Sequence, residues 1–425
     1  MQAWRADPVP KIPPTSDPEF PDRVRIWDSV RRALVPVGPR QGEAGLYVCG
    51  ITPYDATHLG HAFTYLTFDL LYRAWLDLGL AVHYTQNITD IDDPLLARAT
   101  RDGVDWVSLA AEQTELFRTD MTALRVLPPN DYVAATEGID LVTGLVASLA
   151  AAGLVYQVTD DRYPDWYFRC TAVPGFGELS HLERTEQLRQ FAEKGGDPDR
   201  PGKLNPLDCL VWRLARPGEP AWDSPLGRGR PGWHIECTSI AQRYLGVTFA
   251  VQGGGRDLEF PHHEMCAAIG RAAQTGVPFA GAHLHAGMVG MDGEKMSKSL
   301  GNLELVSRLR ANHVAPAVIR LALLAHHYRS DWEWFATDID TAQRRADAWR
   351  AAFMAPAGPP ADPVIAGLRR ALRDDLNAPQ ALAGIDEWTS AVLAGDGRDQ
   401  AAPGQVATAV DALLGVSLAA GQTRR

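Results

Sequence analysis

Between residues 46 and 88 the spacing of apolar positions changes period twice. Leu46–Tyr54 opens as an apolar strand, Ala62–Leu78 places Leu66, Leu70, Ala74 and Leu78 on one helical face, and Ala81–Ile88 returns to strand character. A strand, helix, strand succession with a right-handed crossover implies a parallel, doubly wound sheet. Ligands are then expected at the carboxyl ends of its strands.

The rest of the chain extends that picture. Residues 1–45 read as an irregular leader with one short amphipathic piece around Val24–Leu34. Helical spacing near Val104–Leu124 and Thr136–Ala151 leads to two short strands, Val155–Val158 and Trp166–Cys170, separated by the turn formers Asp160-Asp161. These predict an inserted subdomain over 136–208, closed by a polar Gly/Pro loop from Glu193 to Asp208. Sheet character resumes at Val247–Gln252, closed by Gly253-Gly254-Gly255, and again at His283–Val289. After Asn302 six helices are expected, near 303–312, 315–325, 338–353, 364–373, 379–394 and 404–420, with a Pro-rich boundary at Pro356–Pro363. The predicted fold class is therefore α/β: a Rossmann-like catalytic domain in two halves (46–135 and 209–302), an insertion, and a C-terminal helical stem and bundle over 303–425.

Composition narrows the function classes. Hydrophobic residues make up 46% and charged residues 22%, as in a soluble globular protein. No apolar run reaches the ~18 residues of a membrane span, and the Pro-rich, acidic N-terminus lacks a signal-peptide core, so a cytoplasmic protein with no membrane partner is expected. Five cysteines argue against a disulfide framework and leave thiols for metal or catalytic work. A net charge of −11 does not suggest a nonspecific nucleic-acid binder, although an acidic protein can still carry a local basic face. Against 36 arginines there are only five lysines, and two of them, Lys295 and Lys298, share one short loop.

That loop, Lys295-Met296-Ser297-Lys298-Ser299, pairs with a second signature, His58-Leu59-Gly60-His61, which follows a strand and opens a helix. A helix N-terminus favours anions. The order and context of the two signatures predict ATP chemistry: His58 and His61 donate to phosphates, while Lys298, assisted by Lys295, neutralises charge developing on pyrophosphate. Between them lie Cys49, Cys237 and His262, soft donors suited to zinc with one coordination position open. Cys266, four residues after His262 and on the same helical face, is a possible fourth ligand. An open zinc would hold a thiol substrate as thiolate and discriminate against an alcohol.

Five blocks carry a family resemblance. Cys49-Gly50-Ile51-Thr52-Pro53-Tyr54-Asp55, Asn87-Ile88-Thr89-Asp90-Ile91-Asp92-Asp93, Gly232-Trp233-His234-Ile235-Glu236-Cys237, Gly253 through Glu264, and Lys295 through Asn302 resemble the class I aminoacyl-tRNA synthetases, most closely the cysteinyl branch, over roughly residues 20 to 380. The resemblance implies ATP with Mg2+ as substrate and zinc on Cys49, Cys237 and His262. It implies a cysteinyl-adenylate site of Cys49, Gly50, Ile51, Thr52, Thr64, Asn87, Ile88, Thr89, Trp233, Gly255, Arg256, Asp257 and Val289. Two departures stand out: Ile51-Thr52-Pro53-Tyr54 replaces the branch's Pro-Thr-Val-Tyr, and Cys266 stands where a Glu usually completes the zinc set. Residues 356–425 hold no lysine, six arginines and eight acidic residues, whereas a tRNA-binding appendage should be basic. The chain therefore resembles the synthetase-derived ligases of mycothiol biosynthesis, which join cysteine to the amine of glucosaminyl-inositol. A monomer acting on cysteine, ATP and that amine without tRNA is expected, with Asp257 as the one nameable base. The alternatives are a cysteinyl-tRNA synthetase with a reduced C-terminal domain and a non-catalytic relative.

Overall fold

The computed structural model describes residues 1–14, 20–274, 276–291, 294–295 as backbone, and 303–418. Lys298, Gly301 and the side chain of Lys295 lie outside that description.

Five parallel strands form the central sheet: β1 (Glu43–Val48), β2 (Ala81–Ile88), β3 (Asp131–Ala134), β4 (Phe249–Gly255) and β5 (Ala280–Ala286), in the spatial order β5-β4-β1-β2-β3. Register aligns Leu46 with Val251 on one side and with Tyr84 on the other. Their apolar positions are buried on both faces because helices cover both, which is why the strands read as apolar runs rather than strict alternation. The strand order reverses between β1 and β4, and a crevice for ligands opens there at the carboxyl ends. Helix α1 (Leu59–Asp77) carries the chain from β1 to β2.

The three glycines expected to close the strand after Gln252 lie inside β4 instead, Gly253 pairing with both Val48 and Leu284. Close packing explains them. A Cβ on Gly253 would sit 2.0 Å from the Phe68 ring on α1, and one on Gly254 would sit 2.8 Å from the His263 ring.

The leader carries no helix or strand over residues 1–14, but the piece expected as amphipathic is a hairpin. Val24–Asp28 and Ala33–Val37 form an antiparallel hairpin, tied to β5 by the His283 N–H donating to Asp28 Oδ1 at 2.8 Å. Its turn, Ser29-Val30-Arg31-Arg32, carries no Gly, Pro or Asn, with Arg32 itself at φ +50°, so two strands read as one amphipathic piece. The insertion contains a four-stranded antiparallel sheet of Val155–Gln157, Trp166–Phe168, Cys209–Leu214 and Gly229–Pro231. Its hydrogen bonding therefore continues past residue 208, the expected boundary, because the last two strands complete it.

Six helices follow, Val306–Ala311, Pro316–Leu324, Ala336–Phe353, Ala361–Arg373, Ala378–Leu393 and Ala402–Leu414. The last stops at Leu414 rather than near 420, capped by Gly415 in the left-handed conformation. No helix among the described residues is long and apolar enough to cross a membrane.

A buried ionic node locks these helices to α1. Asp69 accepts from Arg73 Nε at 2.7 Å and from Arg320; Arg320 also donates to the carbonyls of Leu414 (2.6 Å) and Leu124 (2.7 Å). Burial pulls the Arg320 guanidinium down to about 10, still protonated at neutral pH. Burial pushes the Asp69 carboxyl up, but Arg320 and Arg73 outweigh it and hold the group below the ordinary carboxylate range. Replacing Asp69 by alanine leaves buried guanidinium groups without their counter-charge and is expected to cost about 3–5 kcal/mol, read from the urea midpoint. The wild type also carries an acid-labile increment. Because Asp69 is more acidic folded than unfolded, its stabilisation is complete above the unfolded value of ~3.9 and is lost as pH falls through the folded one, a loss absent from Asp69→Ala.

Candidate active site at the switch point

A cavity of about 850 Å³ opens at the carboxyl ends of β1 and β4. Its floor is Cys49, Gly50, Ile51 and Thr52, the segment that leaves β1. Gly50 is required there: its N–H donates to Asn87 Oδ1 at 2.8 Å, and a Cβ would lie 1.6 Å from the Asn87 carbonyl oxygen. Asn87 also accepts from Tyr47 Oη at 3.1 Å and donates to Thr89 Oγ1 at 3.1 Å. Asn87, Ile88 and Thr89 are therefore a fully buried layer beneath the floor, not cavity wall.

The N-terminus of α1 forms the next wall. His58 is its N-cap, and the His61 N–H donates to His58 Nδ1 at 3.4 Å, which leaves the proton of a neutral His58 ring on Nε2. The two imidazoles stack with centroids 3.8 Å apart. Both line the cavity, as does Thr64 one turn on. Gly60 allows this, since a Cβ there would meet the His58 ring at 3.0 Å.

Gly255, Asp257 and Val289 close the β4–β5 side. Arg256 does not join them. It turns away to Asp331 (2.8 Å) and to the carbonyl oxygen of Arg329, beside a second cavity.

Behind the floor sits the soft-donor set. Cys49 directly follows β1, Cys237 lies on α2 (Trp233–Leu245), and His262 precedes α3 (Glu264–Ala273). One ligand atom from each falls within 4.8 Å of the other two, and all three residues are buried. Trp233, one turn before Cys237, lines the cavity and stacks on His262 at 4.2 Å. Burial alone would push Cys237 up, but the Cys49 thiol and the His262 imidazole pull it well below the ordinary thiol range. Burial would likewise lower His262, and the charges on Cys266 and Cys237 raise it well above. Two buried thiols and an imidazole, with a thiol favoured in its anionic form, fit a thiophilic cation. Cys266 is a neighbour rather than a member of the set: its thiol donates to the His234 carbonyl at 3.3 Å, with His262 Nε2 3.7 Å away.

Several residues here were not picked out from sequence. His263 Nε2 lies 3.2 Å from Cys49 Sγ and its Nδ1 lies 2.7 Å from His285 Nε2, an outer layer that the His262-His263 doublet could have suggested. Tyr54, Asp55 and the helix Asp93–Asp102 supply a further wall. Asp92 as N-cap with Pro94 in the first turn is a helix-start signal that would have revealed it.

Residues 36–344 match the family described as tRNA synthetases class I (C) catalytic domain. The chain belongs to that family. Its members use ATP, and the family's fold is the one seen here. Among solved structures, Mycobacterium tuberculosis methionyl-tRNA synthetase bound by methionyl-adenylate superimposes with a TM-score of 0.62 at 16% identity, covering 88% of this chain and 92% of that one. An Agrobacterium radiobacter LeuRS in ternary complex with tRNA and LeuAMS gives 0.62 at 12%, covering 92% and 85%. At such identities the likeness concerns the fold. Full-length relatives are much nearer. Proteins named L-cysteine:1D-myo-inositol 2-amino-2-deoxy-alpha-D-glucopyranoside ligase are 56% identical in Gordonia bronchialis (99% of this chain, 100% of the relative), 54% in Thermomonospora curvata (98% and 100%) and 55% in Mycolicibacterium paratuberculosis (98% and 100%).

Proposed function

We propose that this chain is an ATP-dependent ligase joining L-cysteine to the amine of 1D-myo-inositol 2-amino-2-deoxy-α-D-glucopyranoside, the glucosaminyl-inositol of mycothiol biosynthesis. The observation that carries the reading is end-to-end identity of 54–56% with relatives bearing that name, both chains covered almost entirely. The cavity supports it chemically, since a thiol-binding donor set and a phosphate-facing helix N-terminus border one space.

The reaction has two steps. The cysteine carboxylate attacks the α-phosphorus of ATP, the bond to the bridging β-phosphate oxygen breaks, and diphosphate leaves. The glucosamine nitrogen then attacks the activated carbonyl carbon, a C–N bond forms, the C–O bond to phosphate breaks, and AMP departs with its electron pair while the nitrogen loses a proton. His58 and His61 would bind phosphate oxygens at the positive end of α1, and Lys298 with Lys295 would neutralise the leaving diphosphate, Mg2+ accompanying ATP. Thr52, Trp233 and Asp257 would orient cysteine, with Asp257 also placed to receive the amine proton. Zn2+ would be held by Cys49, Cys237 and His262 and supply a thiolate-specific Lewis acid that serine cannot satisfy. We place the enzyme in the cytoplasm as a monomer that needs no tRNA. The lysine-free, acidic segment 356–425 supports the last point.

AMP release by purified protein with ATP, Mg2+ and cysteine tests the reading. Turnover is expected with glucosaminyl-inositol and not with deacylated cysteine tRNA. Charging of the tRNA instead would assign the chain to the cysteinyl-tRNA synthetases, and absence of cysteine-dependent ATP–diphosphate exchange would mark a non-catalytic relative.

A further inference from the structure

The acceptor has no assigned place in this site, and the cavity has one wall left over. The ligase reading assigns cysteine and the ATP phosphates to the floor, the N-terminus of α1 and the β4–β5 side. On the opposite, β2 side stand Tyr54 and Asp55 from the loop after β1, and Pro94, Ala97, Arg98 and Arg101 from the helix Asp93–Asp102. Positions 94, 97, 98 and 101 follow the i, i+3, i+4, i+7 rule, so one complete helix face lines the cavity. The opposite face packs inward through Leu95 and Ala99. The cavity-lining face presents two guanidinium groups, a proline and an alanine, a surface built for a polar ligand.

Arg98 is held in place. Its Nη1 donates to the Tyr54 carbonyl at 3.2 Å and lies 3.7 Å from Asp55 Oδ2, while its Nε pairs with Asp102. Arg101, at 69% exposure, reaches the cavity mouth with its Nε 2.9 Å from Asp102. Burial, followed by the fields of Asp55, Asp92 and Asp257, pushes the Tyr54 phenol up, so three carboxylates act at this one ring. The Asp55 carboxylate and the fixed Arg98 guanidinium stand side by side as acceptor and donor, a pairing that matches the amine and adjacent hydroxyls of an amino-polyol. A volume of about 850 Å³ is near the top of the ~300–1,000 Å³ usual for ligand sites and exceeds the need of a single small substrate.

We infer that this wall is the subsite for the amino-pseudodisaccharide acceptor, with glucosamine beside Tyr54 and Asp55 and inositol against Arg98 and Arg101. The inference rests on the ligase reading above. It places the amine towards Asp257 and the adenylate, and the inositol ring at the mouth.

Arg98→Met and Arg101→Met in the full-length enzyme test it, with two assays on each. The KM for glucosaminyl-inositol is expected to rise about ten- to a hundredfold, because a charged hydrogen-bond donor is lost. Cysteine-dependent ATP–diphosphate exchange, which needs no acceptor, should stay within about twofold of wild type. Arg101→Met, at an exposed position, guards against a folding defect in Arg98→Met. Exchange that falls in parallel would assign the wall to adenylate formation, and an unchanged acceptor KM in both variants would show that the sugar lies elsewhere; either overturns the inference. Failure of the ligase reading itself looks different, as wild-type exchange without any product from glucosaminyl-inositol.

Discussion

Cys237→Ala is expected to lose bound zinc and, with it, cysteine-dependent ATP–diphosphate exchange by well over ~100-fold. The floor on that figure comes from outer-layer partners of metal ligands, whose removal alone typically costs ~10–100-fold in affinity or activity. A ligand itself must matter more, and here it is also the thiol most readily held as an anion, drawn below its ordinary range by Cys49 and His262. Metal content per chain, measured by plasma mass spectrometry, should fall from about one to near zero. Cys266→Ala provides the contrast. Its thiol donates to a backbone carbonyl and stands outside the three-residue set, so that variant should keep its zinc and most of its exchange activity. Equal metal loss from both variants would instead show a closed four-ligand site and overturn the open position on which thiol capture depends.

That contrast marks how far the sequence could be read. The period changes over residues 46–88 foretold β1, α1 and β2 because a helix face and a buried strand each impose their own spacing, and the six C-terminal helices were legible for the same reason. Cys49, Cys237 and His262 were legible as candidate donors because donor chemistry is written in residue type, and the fold brings their ligand atoms within 4.8 Å of one another although 25 positions separate even the nearest pair. Whether a residue faces the cavity or lies one layer behind it is not written there. Asn87 and Thr89 belong to a block that resembles an adenylate-binding segment, yet they spend their polar groups holding Gly50 and each other beneath the floor. Arg256 sits between Gly255 and Asp257, both on the wall, but its long side chain finds a carboxylate and a carbonyl on the far side. The Gly253–Gly255 run reads as a loop because its reason is tertiary, the pressure of Phe68 from far back in the chain and of the His263 ring folded back from nine residues on. Strands as short as Ala33–Val37 fail for another cause: five residues give too few periods to distinguish a hairpin arm from an amphipathic turn.

His58 presents the remaining case in which one side chain holds two jobs that sequence cannot separate. As N-cap of α1 it accepts from the His61 N–H, a role asparagine fills at least as well. As a cavity residue its Nε2 proton would be offered to ATP phosphate, a role asparagine cannot reproduce from the shorter side chain. His58→Ala removes both functions, and His58→Asn removes only the second. Both variants should therefore lose about 10²–10³-fold in the kcat of ATP–diphosphate exchange, the usual loss when one preorganised donor to a developing charge is deleted. Only His58→Ala should also lose stability, by about 1 kcal/mol, the typical worth of a helix cap. An equal fall in kcat and kcat/KM would locate the interaction in the transition state, because losing a donor that bound ground-state ATP just as tightly would raise KM and leave kcat alone. Should His58→Asn turn over like wild type while His58→Ala is unstable, the imidazole would be a cap and no more, and charge on the diphosphate would have to be met by His61 and the lysine loop without it.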